Sequence, residues 1–386
     1  MEKNVLFVSI ILSYLKINLI LLFLTLFLSE ISLVNMTEQK SEINLIIEGE
    51  GNQYFLNETF YLEPSEVIVN DVQNDSCKIN CFFKKDLNNV TIKFDRLINT
   101  TENMFKGLKN IIEIDLSNFH TSKVTSMVSM FESCLNLSKI NFGYINTSLV
   151  KDMTCLFHEC KKLASVDVSK FDTSSVTSFK YLFRFCVSLT SIDLSNFNTQ
   201  NVEDIYDIFS SCNSLTSVDL SNFDTSKVTN MRGLFYKCNK LRHLDLRNFN
   251  TSLVTNFHGM FSNANSLIFI NIFSFIIQNG SNVEIIFNPT PPDIKICIND
   301  TETQKILNFT GKKIDCSDIC FEDNIKIDLK QNLCLKHCNE GVNKYEYNNY
   351  CIETCPNSTY VSNNNKYLCL DKTIEDNYYY NKNNNI

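Results

Sequence analysis

"SLTSVDLSNFDTSKVTNMRGLFYKCNKL", residues 214–241, begins inside the end of "SLTSIDLSNFNTQNVEDIYDIFSSCNSL", residues 188–215, and restates it. Aligned on the phenylalanine ahead of the cysteine, Phe105, Phe131, Phe157, Phe183, Phe209, Phe235 and Phe261 recur at a constant step of 26 residues, with no insertion. Cys134, Cys160, Cys186, Cys212 and Cys238 keep that step, and so do Asp115, Asn141, Asp167, Asp193, Asp219, Asp245 and Asn271. A constant period over so many copies is the mark of a solenoid, in which each repeat buries its apolar side only against its neighbours.

Within one copy two periodicities alternate. Met231, Leu234, Phe235 and Cys238 fall at i, i+3, i+4 and i+7, which predicts the apolar stripe of a short helix. Leu244, Asp245 and Leu246 alternate as a short strand does. "SNFDTS" (221–226) offers side chains suited to turns that bond their own backbone, and Val228 anchors the chain before the next helix. The expected fold is a repeat solenoid of leucine-rich-repeat type, with a short parallel β-strand plus a short helix per 26-residue rung and about seven rungs. Strands stacked ~4.8 Å apart would give an array roughly 30–35 Å long. The cysteine column then lies on the apolar stripe and reads as small buried hydrophobes with inert thiols. A column does not converge on a point, so it is no metal site. Cys155, two residues before Phe157, stands off the column.

"MFESCLNLSKI" (130–140) and "LFYKCNKLRHL" (234–244) resemble the "AFxxCxxLxxI" core of BspA-type leucine-rich repeats. "IDLSNFHTSKVTSM" (114–127) and "VDLSNFDTSKVTNM" (218–231) resemble the variant common in microbial surface proteins. The resemblance covers about residues 105–274 and departs from the best-known version in its longer rung and in lacking a Pro-containing turn. It implies a secreted or cell-surface location and, for some members, adhesion. The family shares no catalytic motif.

The chain opens with "MEKNVLFVSIILSYLKINLILLFLTLFLSE", basic and then strongly apolar, split by Lys16. Residues 1–32 read as a signal peptide, or as an uncleaved signal anchor over 5–28 with Lys3 on the cytoplasmic side. Both readings export the rest through the secretory pathway. Glycosylation candidates are Asn35, Asn57, Asn74, Asn89, Asn99, Asn136, Asn146, Asn250, Asn279, Asn299, Asn308 and Asn357, weak support in a chain rich in Asn, Ser and Thr. Residues 33–98 break the period with β-like runs such as "INLIIEG" and "NNVTIKF", and are expected to cap a solenoid spanning 99–274. Cys77 and Cys81 there suit a local disulfide.

Residues 275–297 are expected to form a C-terminal cap and 298–371 a cysteine-rich module. Cys297, Cys316, Cys320, Cys334, Cys338, Cys351, Cys355 and Cys369 are an even, dense set, which in an exported chain reads as disulfide-stapled. Spacing does not fix their pairing. "CPNSTYVSNNNKYLC" (355–369) resembles one loop of the growth-factor-receptor type of cysteine-rich repeat. Zinc is the other reading of the C-x-x-x-C pairs, with His337 the one histidine nearby. The tail, 372–386, is low in complexity and expected to be disordered. A short secreted form and a piece of a longer product both fit this ending.

His120, His158, His243, His258 and His337 do not cluster in sequence with a nucleophile or at metal-ligand spacing. Glycine is scarce at nine residues, with no phosphate-cradling loop. Thirty-five basic against 43 acidic residues, with no basic stripe, disfavour nucleic acid. The reading is non-enzymatic, with no catalytic residue and no resident metal.

The outward residue of each strand gives the candidate binding column on the concave face: Asp115, Asn141, Asp167, Asp193, Asp219, Asp245 and Asn271. Carboxylates ~5 Å apart repel by roughly 0.8 kcal/mol per pair in water-like dielectric. Ser169, Ser195 and Ser221, backbone amides or water would offset that, or else Ca²⁺ or a basic partner. Flanking outward positions vary, from Glu113 and Lys139 through Ser165, Ser191 and Ser217 to His243 and Phe269. Phe269, Phe273, Ile276 and Ile277 read as a contact patch or as packing under the cap. The expected function is recognition or adhesion, binding an extracellular protein or glycan through the concave face. The alternatives are a self-associating coat or matrix component and a calcium-dependent ectodomain; membrane contact enters only through the N-terminal segment.

Overall fold

The computed structural model describes residues 41–289, 294–298 and seven short strands between 312 and 371. The signal segment, Asn35, Asn299, Asn308, Asn357, Cys316, Cys320, Cys338, Cys355, His337 and the tail lie outside the described residues.

The first strands are β1 (Ser41–Glu48), β2 (Gly51–Tyr54), β3 (Glu66–Val69), β4 (Val72–Gln73), β5 (Asn80–Phe83) and β6 (Leu87–Phe94). Strict alternation puts Ile43, Leu45 and Ile47 of β1, and Val90, Ile92 and Phe94 of β6, on one buried face. The repeats continue the same sheet. β7 (Ile111–Asp115) pairs antiparallel with β1, setting Leu45 against Ile114, and β8 (Lys139–Asn141) pairs parallel with β7. The order is β4-β3-β6-β1-β7-β8, so β1 covers the backbone edge that the first repeat would expose. Cys77 and Cys81 are disulfide-bonded, with Cα atoms 5.1 Å apart.

Toward the other end, β9 (His243–Asp245), β10 (Phe269–Asn271), β11 (Lys295–Cys297) and β12 (Lys312–Lys313) form a parallel four-stranded sheet. Cys297 is disulfide-bonded. Beyond it, β13 (Lys326–Asp328), β14 (Leu333–Leu335), β15 (Tyr345–Tyr347) and β16 (Tyr350–Ile352) make one small sheet, and β17 (Thr359–Val361) pairs with β18 (Cys369–Asp371). Cys334, Cys351 and Cys369 sit on β14, β16 and β18.

The expected leucine-rich-repeat rung of strand plus helix is not what forms. The described residues contain no helix, and the stretch expected to be helical is a run of turns. Two residues in each repeat have left-handed backbone: Ser129 and Ser133 (φ 56° and 58°), Cys155 and Glu159 (58° and 60°), Tyr181 and Phe185 (both 60°), and onward at the same step. That conformation cannot continue a right-handed helix. It redirects the amides. The N–H groups of Met127, Ser129, Phe131 and Ser133 are donated to carbonyls of Asp152, Thr154, Leu156 and His158 in the next repeat, at 3.0, 2.9, 3.1 and 2.7 Å. Those of Met130, Glu132 and Cys134 close locally on Met127, Ser129 and Phe131. The i, i+3, i+4, i+7 stripe is buried as spaced, with Met127, Met130, Phe131 and Cys134 all at 0% exposure, but on turns.

Strands are also fewer than one per repeat: residues 165–167, 191–193 and 217–219 form none. The parallel pairs that do form set Asp115 against Asn141 and Asp245 against Asn271. The strandless stretch holds three successive carboxylates, Asp167, Asp193 and Asp219, and like charges directly opposite weaken pairing. A second column keeps the coils in step there, with isolated parallel bridges running Ser126, Asp152, Ser178, Asp204, Asn230, Asn256, Asn282.

Three side-chain ladders share that step. The rings of Phe105, Phe131, Phe157, Phe183, Phe209, Phe235 and Phe261 stack with centroids 5.4–6.1 Å apart and planes within 9°. Phe287, at the same 26-residue step, adds an eighth ring 5.1 Å beyond Phe261, one more than the seven counted from the repeat motif. Each such contact is worth about 0.5–1.5 kcal/mol beyond burial. The column cysteines are fully buried, and each Sγ donates to the carbonyl of a phenylalanine one coil back: Cys134 to Phe105, Cys160 to Phe131, Cys186 to Phe157, Cys212 to Phe183 and Cys238 to Phe209, at 3.0–3.1 Å. Burial pushes all five thiols far above their ordinary value. A small apolar residue with one weak donor fits there.

The third ladder is threonine. Thr121, Thr147, Thr173, Thr199, Thr225 and Thr251 are buried, and each hydroxyl donates to a carbonyl of the next coil while accepting that residue's amide. For Thr199 the partners are the Asp224 carbonyl at 3.0 Å and the Asp224 amide at 2.7 Å. Thr199→Val keeps the shape and strands both groups, so denaturant unfolding should show a loss of about 1–3 kcal/mol. Thr199→Ser should lose less, and equal losses would contradict the role given to the hydroxyl.

Candidate functional site

The acidic column is where local bonding was expected to compete with a ligand. Each member's Oδ1 accepts the amide two residues on: Ser117, Gly143, Ser169, Ser195, Ser221, Arg247 and Phe273 donate to Asp115, Asn141, Asp167, Asp193, Asp219, Asp245 and Asn271 at 2.8–3.1 Å. Asn141 Nδ2 also donates to Asp115, and Arg247 lies 2.9 Å from Asp245. The Ser169 hydroxyl and amide hold Asp167 below the usual carboxylate range, and the Ser195 amide and hydroxyl do so for Asp193. Burial opposes the same effect at Asp115, but Ser117, Asn141 and Lys139 together prevail. The column is not uniform. Asn141, Asp167, Asp193, Asp219 and Asp245 are exposed, Asp115 is half-buried and Asn271 is buried. Phe269 and Ile277 are buried too, whereas Ile276 is exposed.

Half a repeat away along the chain lies a surface that the periodicity did not single out. In successive coils one position is held by Val128, Thr154, Lys180, Tyr206 and Arg232, so cations and an aromatic replace small residues midway along the stack. The Tyr181 and Tyr206 ring centroids are 4.9 Å apart, and Lys180 Nζ sits 5.1 and 5.2 Å from them. The Arg184 guanidinium lies 4.9 Å from Tyr181 and 4.7 Å from Phe185, and that of Arg232 lies 5.5 Å from Tyr206. Asp207 closes the group, its Oδ2 3.2 Å from Arg184 Nε, an ion pair without hydrogen-bond alignment. Burial pushes Asp207 up to about 6 against the pull of Arg184 and Arg232, and pushes Tyr206 up to about 12 with help from Tyr181 and Asp207. Asp207 occupies the space that a side chain on Gly233 would fill.

Next to this group, Glu132, Cys155 and His158 bring their donor atoms within 4.8 Å of one another. His158 and Cys155 belong to one turn, and Glu132 occupies the His158 position one coil earlier. His158 Nδ1 is 3.6 Å from Glu132 Oε1, and Lys106 Nζ is 3.0 Å from Glu132 Oε2. The neighbouring His158 side chain is the chief cause that holds Glu132 down at about 2, with Ser129 and Lys106 adding to it against burial. Burial, then the Glu132 charge, pushes the Cys155 thiol up to about 11. Of the other histidines, burial and then Arg242 push His243 down to about 4.

Among the glycosylation candidates, Asn89, Asn99, Asn146, Asn250 and Asn279 are exposed, while Asn57, Asn74 and Asn136 are half-buried. The Asn57 amide nitrogen is engaged with the Lys106 carbonyl at 2.7 Å.

A family model described as "Mycoplasma protein of unknown function, DUF285" matches residues 99–217 and 186–291, half of the chain. No curated protein matches it.

Two measurements probe this geometry. Gly233 and Gly259 share a left-handed φ (60° and 62°), but only at Gly233 would a Cβ meet Asp207. Gly233→Ala should therefore lower Tm more than Gly259→Ala, and equal losses would contradict the placement of Asp207. Asp167, Asp172, Asp193 and Asp224 all have depressed folded values, Asp172 and Asp224 chiefly through the hydroxyls of Ser174 and Ser226. A depressed value stabilises the fold above the unfolded pKa, about 4, and that gain disappears as pH falls through the folded values. The Tm contributed by these turns should hold from neutral pH to about 4 and fall below it. Asp172→Asn with Asp224→Asn should soften that fall.

Proposed function

The chain belongs to the Mycoplasma family of unknown function DUF285, which supplies no activity, and we propose from its surface that it is an exported, non-enzymatic recognition protein. It contacts an extracellular protein or glycan bearing negative charge. The observation that supports this reading is the interlocked group of Lys180, Tyr181, Arg184, Phe185, Tyr206 and Arg232, built across adjacent coils. Tyrosine and arginine are the residues that concentrate binding energy at protein surfaces. Apart from Arg232, which is exposed, these rings and cations are half-buried against one another, so little of their side-chain freedom remains to be lost on binding. The acidic column contributes less, because its inner oxygens are already committed to turns.

The resemblance to BspA-type surface proteins agrees with export, as does the apolar N-terminal segment. No helix among the described residues is long and apolar enough to cross a membrane.

Binding of the labelled full chain to whole cells and to immobilised acidic glycans, at low and high salt, tests the proposal. Arg184→Ala with Tyr206→Ala should weaken binding at least ~10-fold and flatten its salt dependence, since each such residue is typically worth about 2 kcal/mol or more. Asp193→Asn with Asp219→Asn should leave binding unchanged. The reverse pattern would move the contact to the acidic column. Concentration-dependent filaments with no cell binding would favour the self-associating coat.

A further inference from the structure

The Glu132, Cys155 and His158 cluster borders the contact proposed above but shares no residue with it. We infer that these three side chains form a binding site for a borderline-soft divalent cation of the zinc type.

The donor set is the first reason. One sulfur, one imidazole nitrogen and one carboxylate oxygen are ligands that zinc accepts in combination, whereas calcium and magnesium take oxygen. Three protein donors with a fourth position open is a known zinc arrangement.

Geometry is the second. The donor atoms already lie within 4.8 Å of one another, and the backbone beneath each is fixed by bonds to neighbouring coils. The Cys155 amide is donated to the Lys180 carbonyl, and the carbonyls of His158 and Glu132 accept from the amides of Ser133 and Gly107. The left-handed φ of 58° at Cys155, shared down its column, belongs to the same turn.

The third reason is His158 itself. Both ring nitrogens are buried and neither makes a hydrogen bond, which is rare for an imidazole in a folded chain. The ring is flanked by Tyr181 and Phe185, with centroids 5.9 and 6.0 Å away. Among the described residues Glu132 is the one carboxylate at ion-pair distance from it, and Lys106 shares that carboxylate. A cation would give His158 its missing partner and stabilise the Cys155 thiolate, releasing the thiol proton to solvent. The column cysteines do not compete: each is fully buried with its Sγ already donating to a carbonyl.

Titrating the full chain with Co²⁺ tests this. The expected result is one equivalent with tetrahedral bands and thiolate-to-cobalt charge-transfer absorption, displaced by Zn²⁺. Cys155→Ser and His158→Gln should abolish it, and Glu132→Gln should weaken binding at least ~10-fold, a loss of about 1.4 kcal/mol. Absorption that persists in both variants would assign the metal to cysteines elsewhere and overturn the site, as would no absorption at all. Wild-type chain provides a reading independent of variant folding. Zn²⁺ should slow peptide-mapped alkylation of Cys155 at least ~10-fold, and an unchanged rate would overturn the proposal.

Discussion

Main-chain amides that would close a helix within one repeat are given instead to the next repeat, and the other ladders depend on that exchange. With Ser129 and Ser133 in the left-handed region, every second N–H from Met127 to Ser133 points along the stack. The coils then sit close enough for phenylalanine rings to stack, for a cysteine Sγ to reach a carbonyl one coil back, and for a threonine hydroxyl to hold the next chain by two bonds. All of these share one step. An inserted residue would take a ring out of its stack and leave a buried amide without its hydroxyl, which accounts for a period kept without interruption from Phe105 to Phe261.

What could be read from the letters is what depends on spacing alone. The period, the buried stripe and the inward cysteines follow from which residues recur, and burial at Met127, Met130, Phe131 and Cys134 agrees. The helix does not follow, because i, i+3, i+4, i+7 spacing also arises from alternating i+3 turns and inter-coil bonds. Tyr181 and Phe185 carry no mark of left-handed backbone. Their columns do: Asn103, Gly233 and Gly259 stand in one, Gly107 and Asn263 in the other, and Gly and Asn are the residues that tolerate it. Read down the alignment rather than along one copy, they were the available signal.

The surface features were legible unequally. The acidic column is plain in the repeat, as is the turn chemistry that satisfies it. The threonine ladder hides inside a motif that looks like a turn, since a hydroxyl in "DTS" can serve its own backbone or its neighbour's. The cation–aromatic group and the Glu132–Cys155–His158 cluster are breaks in the repeat, formed by residues of different coils that meet only when 26 residues become one step. Cys155, off its column, was the one visible sign of them.

The shared step also bears on descent. A duplication or deletion of one repeat's coding length leaves every ladder intact, because each coil presents to its neighbour the same ring, thiol and hydroxyl that it receives. The number of coils is thus free to drift by recombination under weak constraint. The groups around Tyr206 and His158 have no such freedom, since a coil inserted between their members would separate them. The length of the array could therefore change by whole coils, whereas the contacts around Tyr206 and His158 survive only where their adjacent coils stay together.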